Sequence, residues 1–292
     1  MIIKQKMTKA ISYSLFGYER ERADSCFDFA SYLRGLMLCL RFNRLIYPDW
    51  FTILETDHAT YNGFASLFKA LEDRNIIRIE KNKNGTPICE AMLWRMKPVF
   101  WKDTFNKWEF SHVLCRDLDS PATYREAQAV QVWINHDKAM HAITDSVSHD
   151  VPLLGGMIGV NPAYFSERMK VNSHDDLMKL CSHSLGNKGS DQVFLNQTIY
   201  PEFAQKGRDS ITQHYVLGHG QTWLGDWHNT IEDIPLGIPE ELKETNIICG
   251  HIGAAGWYEP PTMKLIYKYK HKFTDLIEIE RQYPKTFTWN QD

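Results

Sequence analysis

The stretch SHVLCRDLDSPATYRE (residues 111–126) sets two carboxylates, Asp117 and Asp119, one residue apart where a short apolar run ends. Like charges that close repel, and burial raises the pKa of at least one. Such a pair calls for a cation, a phosphoryl group or water beside it. Carboxylate oxygens are hard ligands suited to Mg2+ or Mn2+, and a metal so held can bridge the diphosphate of a nucleotide. A solvated acidic turn explains D-x-D equally well when the motif stands alone. Phosphatases of the haloacid-dehalogenase type also carry D-x-D after a strand. They want Thr or Val two residues after the second Asp, where this chain has Pro121.

Other stretches carry residue types able to serve the same chemistry. In PLLGGMIGV (152–160), Gly155 and Gly156 let a ligand approach the backbone closely, although a glycine-bearing core strand reads the same way. In GSDQVFLNQTIY (189–200), Asp191 and Gln192 open a helix, either as an N-cap or as a carboxylate–amide pair for sugar hydroxyls. Arg95, in MLWRM, can snorkel to solvent or clamp a phosphate. His251 follows an apolar run and precedes a glycine-rich loop. Asp145 lies in HAITDSVSH between His141 and His149, as a hydrogen-bonded loop or as chemistry. KLIYKYKHKF (264–273) interleaves lysines with tyrosines, which suits nucleic acid or a lysine-faced edge strand. HGQTWLGDWH (219–228) offers Trp223 and Trp227 as flat faces for sugars or bases.

The elements that must position these residues alternate between strand and helix. KAISYSLFG (9–17), FTILETD (51–57) and NIIRIE (75–80) read as strands; Cys26–Ile46, residues 61–72 and CEAMLWRMKPVF (89–100) read as helices. The D-x-D stretch supplies the next strand, and Ser120 with Pro121 opens a helix over 122–135. This order predicts an α/β fold with a mostly parallel central sheet. Ligands of such sheets bind outside the carboxyl ends of strands.

At 292 residues, 43% hydrophobic and 24% charged, the composition is that of a globular protein, read as one domain over 1–292. The net charge of −3 gives no global pull toward nucleic acid or anionic lipid. No apolar run reaches the roughly 20 residues of a membrane span. Six cysteines without C-x-x-C suggest neither a zinc cage nor a disulfide framework, so a cytoplasmic setting is expected.

Taken in order, the motifs resemble retaining glycosyltransferases of the glycogenin and lipopolysaccharide-galactosyltransferase type. The chain looks still more like a group assigned as glycosyltransferases in bacteria, viruses and microbial eukaryotes. The matching stretches are YPDW (47–50), RDLDS (116–120), Arg125–Glu126, AVQVWI (129–134), HAITDSVSH (141–149), GGMIG (155–159) and DQVFL (191–195), within about residues 9–260.

The resemblance implies a GT-A (Rossmann-like nucleotide-diphospho-sugar transferase) fold, with 261–292 as a C-terminal extension. It implies that Ser14, Phe16, Gly17 and Tyr18 contact the nucleotide, and that Arg95 and Arg116 belong to the donor site. Gly155 and Gly156 would line the sugar pocket. Asp117, Asp119 and His251 would hold Mn2+ or Mg2+. Asp191 and Gln192, with Asp145, would act near the anomeric carbon. The glycogenin-type H-x-x-G-x-x-K-P-W ending reads HIGAAGWYEP here, with Ala254 in place of its glycine. The implied activity is sugar transfer from a nucleotide-diphosphate sugar, UDP-linked by preference, to a glycan or to a hydroxymethylated DNA base. The alternatives are a nucleotide-sugar-binding module without turnover and a nucleic-acid-binding protein of the same fold.

Overall fold

A computed structural model describes residues 8–18, 29–144, 151–204, 207, 210–216, 232–236 and 268–287. Eight strands form one sheet: β1 Thr8–Leu15, β2 Trp50–Asp57, β3 Arg78–Asn82, β4 Phe110–Arg116, β5 Met140–Thr144, β6 Met157–Val160, β7 Ile211–Val216 and β8 Glu232–Leu236. Their order is β3-β2-β1-β4-β6-β5-β7-β8, and every pairing is parallel except the two made by β6. The α/β class and the mostly parallel sheet expected from the sequence are therefore present, in an arrangement compatible with a Rossmann-like fold. The Gly-Gly stretch differs from its reading as a single strand. Only Met157–Val160 is strand, running antiparallel to β4, and Gly155 and Gly156 form the turn before it.

Helices cover both faces of the sheet. One face buries Ile11, Tyr13, Leu54 and Leu114 against α1 (Phe29–Ile46), α3 (Ala65–Asp73), α5 (Tyr124–His136) and the helix Thr274–Glu280. The latter two helices are far apart in sequence, and the last is fastened to α1 by Arg41, whose Nη2 donates to Glu280 Oε2 at 2.6 Å with both residues buried. The stretch read as a C-terminal extension thus contributes Phe273, Leu276 and Ile279 to the core. Lys270–Lys272 is a single 3-10 turn rather than part of an edge strand, and Lys268 and Lys272 sit over the Tyr269 ring at 5.3 and 5.5 Å.

The opposite face buries Ala10, Ile53, Val113 and Ile158 against α4 (Ile88–Met92), a 3-10 segment (Leu93–Phe100), α6 (Pro162–Met169), α7 (His174–Lys179), α8 (Ser190–Phe194), a π-helical turn (Leu195–Ile199) and α9 (Tyr200–Phe203). The sequence predicted one helix over 89–100. Instead a short α-turn tightens into 3-10 geometry that runs through Pro98. The predicted helix at 61–72 is two pieces, α2 (His58–Gly63) and α3.

Two predicted caps also move. α5 is capped by Thr123, whose Oγ1 accepts from Glu126 N at 3.2 Å, rather than by Ser120. α8 is preceded by Gly189 in the left-handed region, at φ 85°, so neither Ser190 nor Asp191 caps it. No helix among the described residues is long and apolar enough to cross a membrane.

Candidate functional site

Four stretches distant in sequence meet beyond the carboxyl ends of β1 and β4. The first is the 3-10 segment carrying Arg95. Its placement is fixed by β1: Arg95 N donates to Ser14 Oγ at 3.0 Å, and that hydroxyl donates to Met92 O at 3.4 Å. Cys115 Sγ, on β4, donates to Arg95 O at 3.4 Å, and burial pushes this thiol up to about 12, so it stays protonated. The Arg95 side chain does not snorkel. It is 2% exposed and aims its guanidinium at acidic groups.

The second stretch is the D-x-D. Arg95 Nη1 donates to Asp117 Oδ1, and Asp117 remains 40% exposed. Asp119, half-buried, accepts from Ser120 Oγ at 3.4 Å. The third is α8, where Asp191 is buried with Oδ2 at 3.8 Å from Arg95 Nη2. Neither atom has a hydrogen-bond partner among the described residues. Burial opposes the Arg95 charge, but Asp117 and then Asp191 hold the guanidinium above its ordinary value.

The fourth is the Gly-Gly turn. A Cβ on Gly155 would collide with Arg95 Nη2, and one on Gly156 with the Asp117 carboxylate. At both positions the absence of a side chain is what lets Arg95 and Asp117 lie directly against the turn. The turn is tied to α8 by amides. Asn196 Oδ1 accepts from Leu153 N at 2.9 Å, and its Nδ2 donates to Leu153 O and Gln192 O, each at 2.8 Å. Gln192, with its amide turned to satisfy both ends, donates to Leu153 O at 2.8 Å and accepts from Gly155 N at 3.2 Å. Its amide therefore shapes the turn, where the sequence placed it on the sugar.

The β1 loop is built separately. Gly17, at φ 85°, donates its N–H to Asp57 Oδ2 at 2.8 Å, while Asp57 Oδ1 caps α2 by accepting from Thr60 N at 2.6 Å. Tyr18 N donates to Thr60 Oγ1 at 3.2 Å, and its ring, 47% exposed, packs edge-on against Phe29 and Phe64. Phe16 meets the Trp94 ring edge-on at 5.7 Å. These residues line the rim beside Ser14.

Arg116 is placed differently. It is 1% exposed; its Nε donates to Glu126 Oε1 at 2.8 Å and its Nη1 to Cys115 O and Ile158 O at 3.1 and 3.3 Å. Tyr47 donates to the same Glu126 oxygen at 3.1 Å. The guanidinium is occupied as a buried scaffold that joins β4, β6 and α5, not offered to a donor.

The structure therefore brings Ser14, Arg95, Asp117, Asp119, Gly155, Gly156, Asp191 and Gln192 together. Asp145 and His251 lie outside the described residues. Asp57 and Asn196 carry structural roles that the sequence reading did not assign. Asp57 was legible as a strand-end helix cap before HATY, and Asn196 only as the last letter of DQVFLN. Among the described residues no group of three His, Cys, Asp or Glu side chains is placed to hold a metal. The two carboxylates of Asp117 and Asp119 do suit a divalent ion shared with a diphosphate, since both are oxygen donors that reach solvent.

No protein-family model matches the chain, and no curated protein sequence matches it.

Proposed function

We propose that this chain is a metal-dependent glycosyltransferase of the GT-A type, moving a sugar from a nucleotide-diphosphate sugar to an acceptor hydroxyl with retention at the anomeric carbon. The observation that carries this reading is the meeting of Arg95, Asp117, Asp191 and the Gly155–Gly156 turn at one strand-end site. A glycine turn packed directly against Arg95 and Asp117, beside two solvent-reaching carboxylates and one buried carboxylate, suits a sugar joined to a metal-bound diphosphate.

Asp119 and Asp117 would hold Mn2+ or Mg2+. The bound ion supplies Lewis-acid neutralisation of the leaving diphosphate. Arg95, itself buried, adds a fixed positive charge at the phosphate end. Asp191 is buried with its Oδ2 facing Arg95 Nη2, turned away from solvent. That placement suits electrostatic stabilisation of positive charge on the sugar ring better than proton removal from an incoming acceptor, and front-face attack needs no strong enzymic base. Ser14 to Tyr18, with Asp57 behind them, form the wall against which the nucleoside would lie. The acceptor is a glycan hydroxyl or a hydroxymethylated base of DNA.

The test is a thermal-shift and slow-hydrolysis screen of nucleotide sugars with Mn2+, Mg2+ or EDTA, on wild type and Asp119→Ala. One donor should stabilise the wild type and be hydrolysed only with metal and with Asp119 intact. A chain whose melting temperature responds to no nucleotide sugar and no nucleoside diphosphate, with either metal, is not a transferase of this kind.

A further inference from the structure

We propose that Arg95 is an internal counter-ion for Asp117 that makes metal and donor bind as coupled ligands. Divalent metal gains full access to the acidic pair only when the donor's phosphates give Arg95 another anion. This inference rests on the transferase reading and concerns regulation of the same site.

Three observations carry it. Asp117 already has a cationic partner, since Arg95 Nη1 donates to its Oδ1. Arg95 has nowhere else to go. Its amide is held by Ser14 Oγ and its carbonyl by Cys115 Sγ, and the close approach of Gly155 walls its Nη2 side. Among the described residues, the one other carboxylate within ion-pair reach of its guanidinium is Asp191, at 3.8 Å and not hydrogen-bonded to it.

A metal drawn onto Asp117 would therefore sit beside a buried guanidinium, and the two cations would compete for one carboxylate. Stripping a buried charge of its partner is strongly unfavourable. A diphosphate removes both penalties, because its oxygens pair with the metal and with Arg95 together. Linkage makes the effect reciprocal: the diphosphate tightens metal binding by the same factor that metal tightens diphosphate binding.

The experiment titrates Mn2+ into the full chain, following the free-ion signal by electron paramagnetic resonance, with and without UDP, GDP, ADP or CDP. Wild type is compared with Arg95→Met and Lys97→Met. Lys97 lies two residues on, and its Nζ bonds to Asn82 Oδ1 rather than to the acidic pair, so it controls for a general loss of positive charge. Without nucleotide, Arg95→Met should bind Mn2+ about tenfold more tightly than wild type, within the usual range of coupling between sites. The tightening by nucleotide should shrink by the same factor, and Lys97→Met should behave as wild type.

Equal Mn2+ affinity in wild type and Arg95→Met overturns the inference while leaving the transferase reading standing. So does an equal gain in Lys97→Met. If no form binds metal together with any nucleotide, both fall. Should Arg95→Met fail to fold, the wild type alone decides through the Arg95 side-chain Nε–H resonance. It should move when Mg2+ and nucleotide are added together and stay in place with Mg2+ alone; movement with Mg2+ alone overturns the coupling.

Discussion

Ser14 Oγ accepts the Arg95 backbone N–H at 3.0 Å and donates its own O–H to Met92 O at 3.4 Å, so one hydroxyl joins the end of β1 to the 3-10 segment. Ser14→Ala leaves a part-buried amide without its acceptor. The expected cost is ~1–2 kcal/mol in urea unfolding. Arg95 should also lose its fixed position, and nucleotide-sugar affinity should fall with it. A variant that loses the stability and keeps the affinity would show that this tie does not position the guanidinium.

Gly156→Ala tests the glycine turn. The added Cβ would run into the Asp117 carboxylate, whose own Cβ lies 2.9 Å from that point. The variant should fold, at a cost of ~1–3 kcal/mol, and lose the metal-dependent thermal shift with donor. Gly159→Ala is the matched control, because its Cβ would meet Trp133 Cζ3 at 2.7 Å, inside the core. It should destabilise the protein and keep the donor shift.

Arg116 and Glu126 are each 1% exposed and pair at 2.7 Å from Nη2 to Oε1. Breaking such a pair from one side leaves a buried charge uncompensated, at ~3–5 kcal/mol. Glu126→Ala should therefore lower the melting temperature sharply. At a temperature where it remains folded, its affinity for nucleotide should match the wild type. A fall in affinity with Arg116→Lys, without a fall in stability, would return Arg116 to the donor site.

Burial raises the Glu55 carboxyl from 4.5 to about 7, against the pull of its hydrogen bond from Asn82 and of Lys97. The folded state thus prefers the protonated form. Its contribution to stability is complete below about pH 4.5 and is lost as pH rises through 7. Between pH 5 and pH 8, wild type should lose on the order of 2–3 kcal/mol relative to Glu55→Gln. An equal change in stability for the two proteins between pH 5 and pH 8 would refute this.

Three buried histidines act in the opposite sense. Burial lowers His174 to about 4 and His214 to about 3, and it lowers His141 well below 6.5. The His141 and His214 rings pack together, with centroids 4.9 Å apart. Unfolded chains take up these protons near 6.5 and the folded chain does not, so stability present above 6.5 is lost as pH falls toward 4. At pH 5 His174 and His214 each cost about 2 kcal/mol, and His141 acts in the same direction. The melting temperature should fall steeply below pH 6, and His214→Leu should flatten that slope. A melting temperature unchanged between pH 7 and pH 5 would contradict the burial of these rings.

The α/β class, the first four strands to within a few residues, and the set of residues worth suspecting are all legible in the order of residues along the chain. Strands β2 and β4 are apolar runs that end at polar residues, and β1 runs into Gly17, signals carried within about ten neighbours. What the chain could not show is pairing between distant stretches. β6 is four residues long, and nothing local sets its antiparallel register between β4 and β5. The 3-10 geometry of Leu93–Phe100 comes from packing across β1 and β4, so helical spacing misread it. Arg95 and Arg116 look alike in sequence, each one residue beyond an apolar run. Only the tertiary structure sends one to Asp117 and Asp191 at the strand ends and the other to Glu126 beneath the sheet. A buried guanidinium goes where a carboxylate can reach it, and that partner is chosen by the fold.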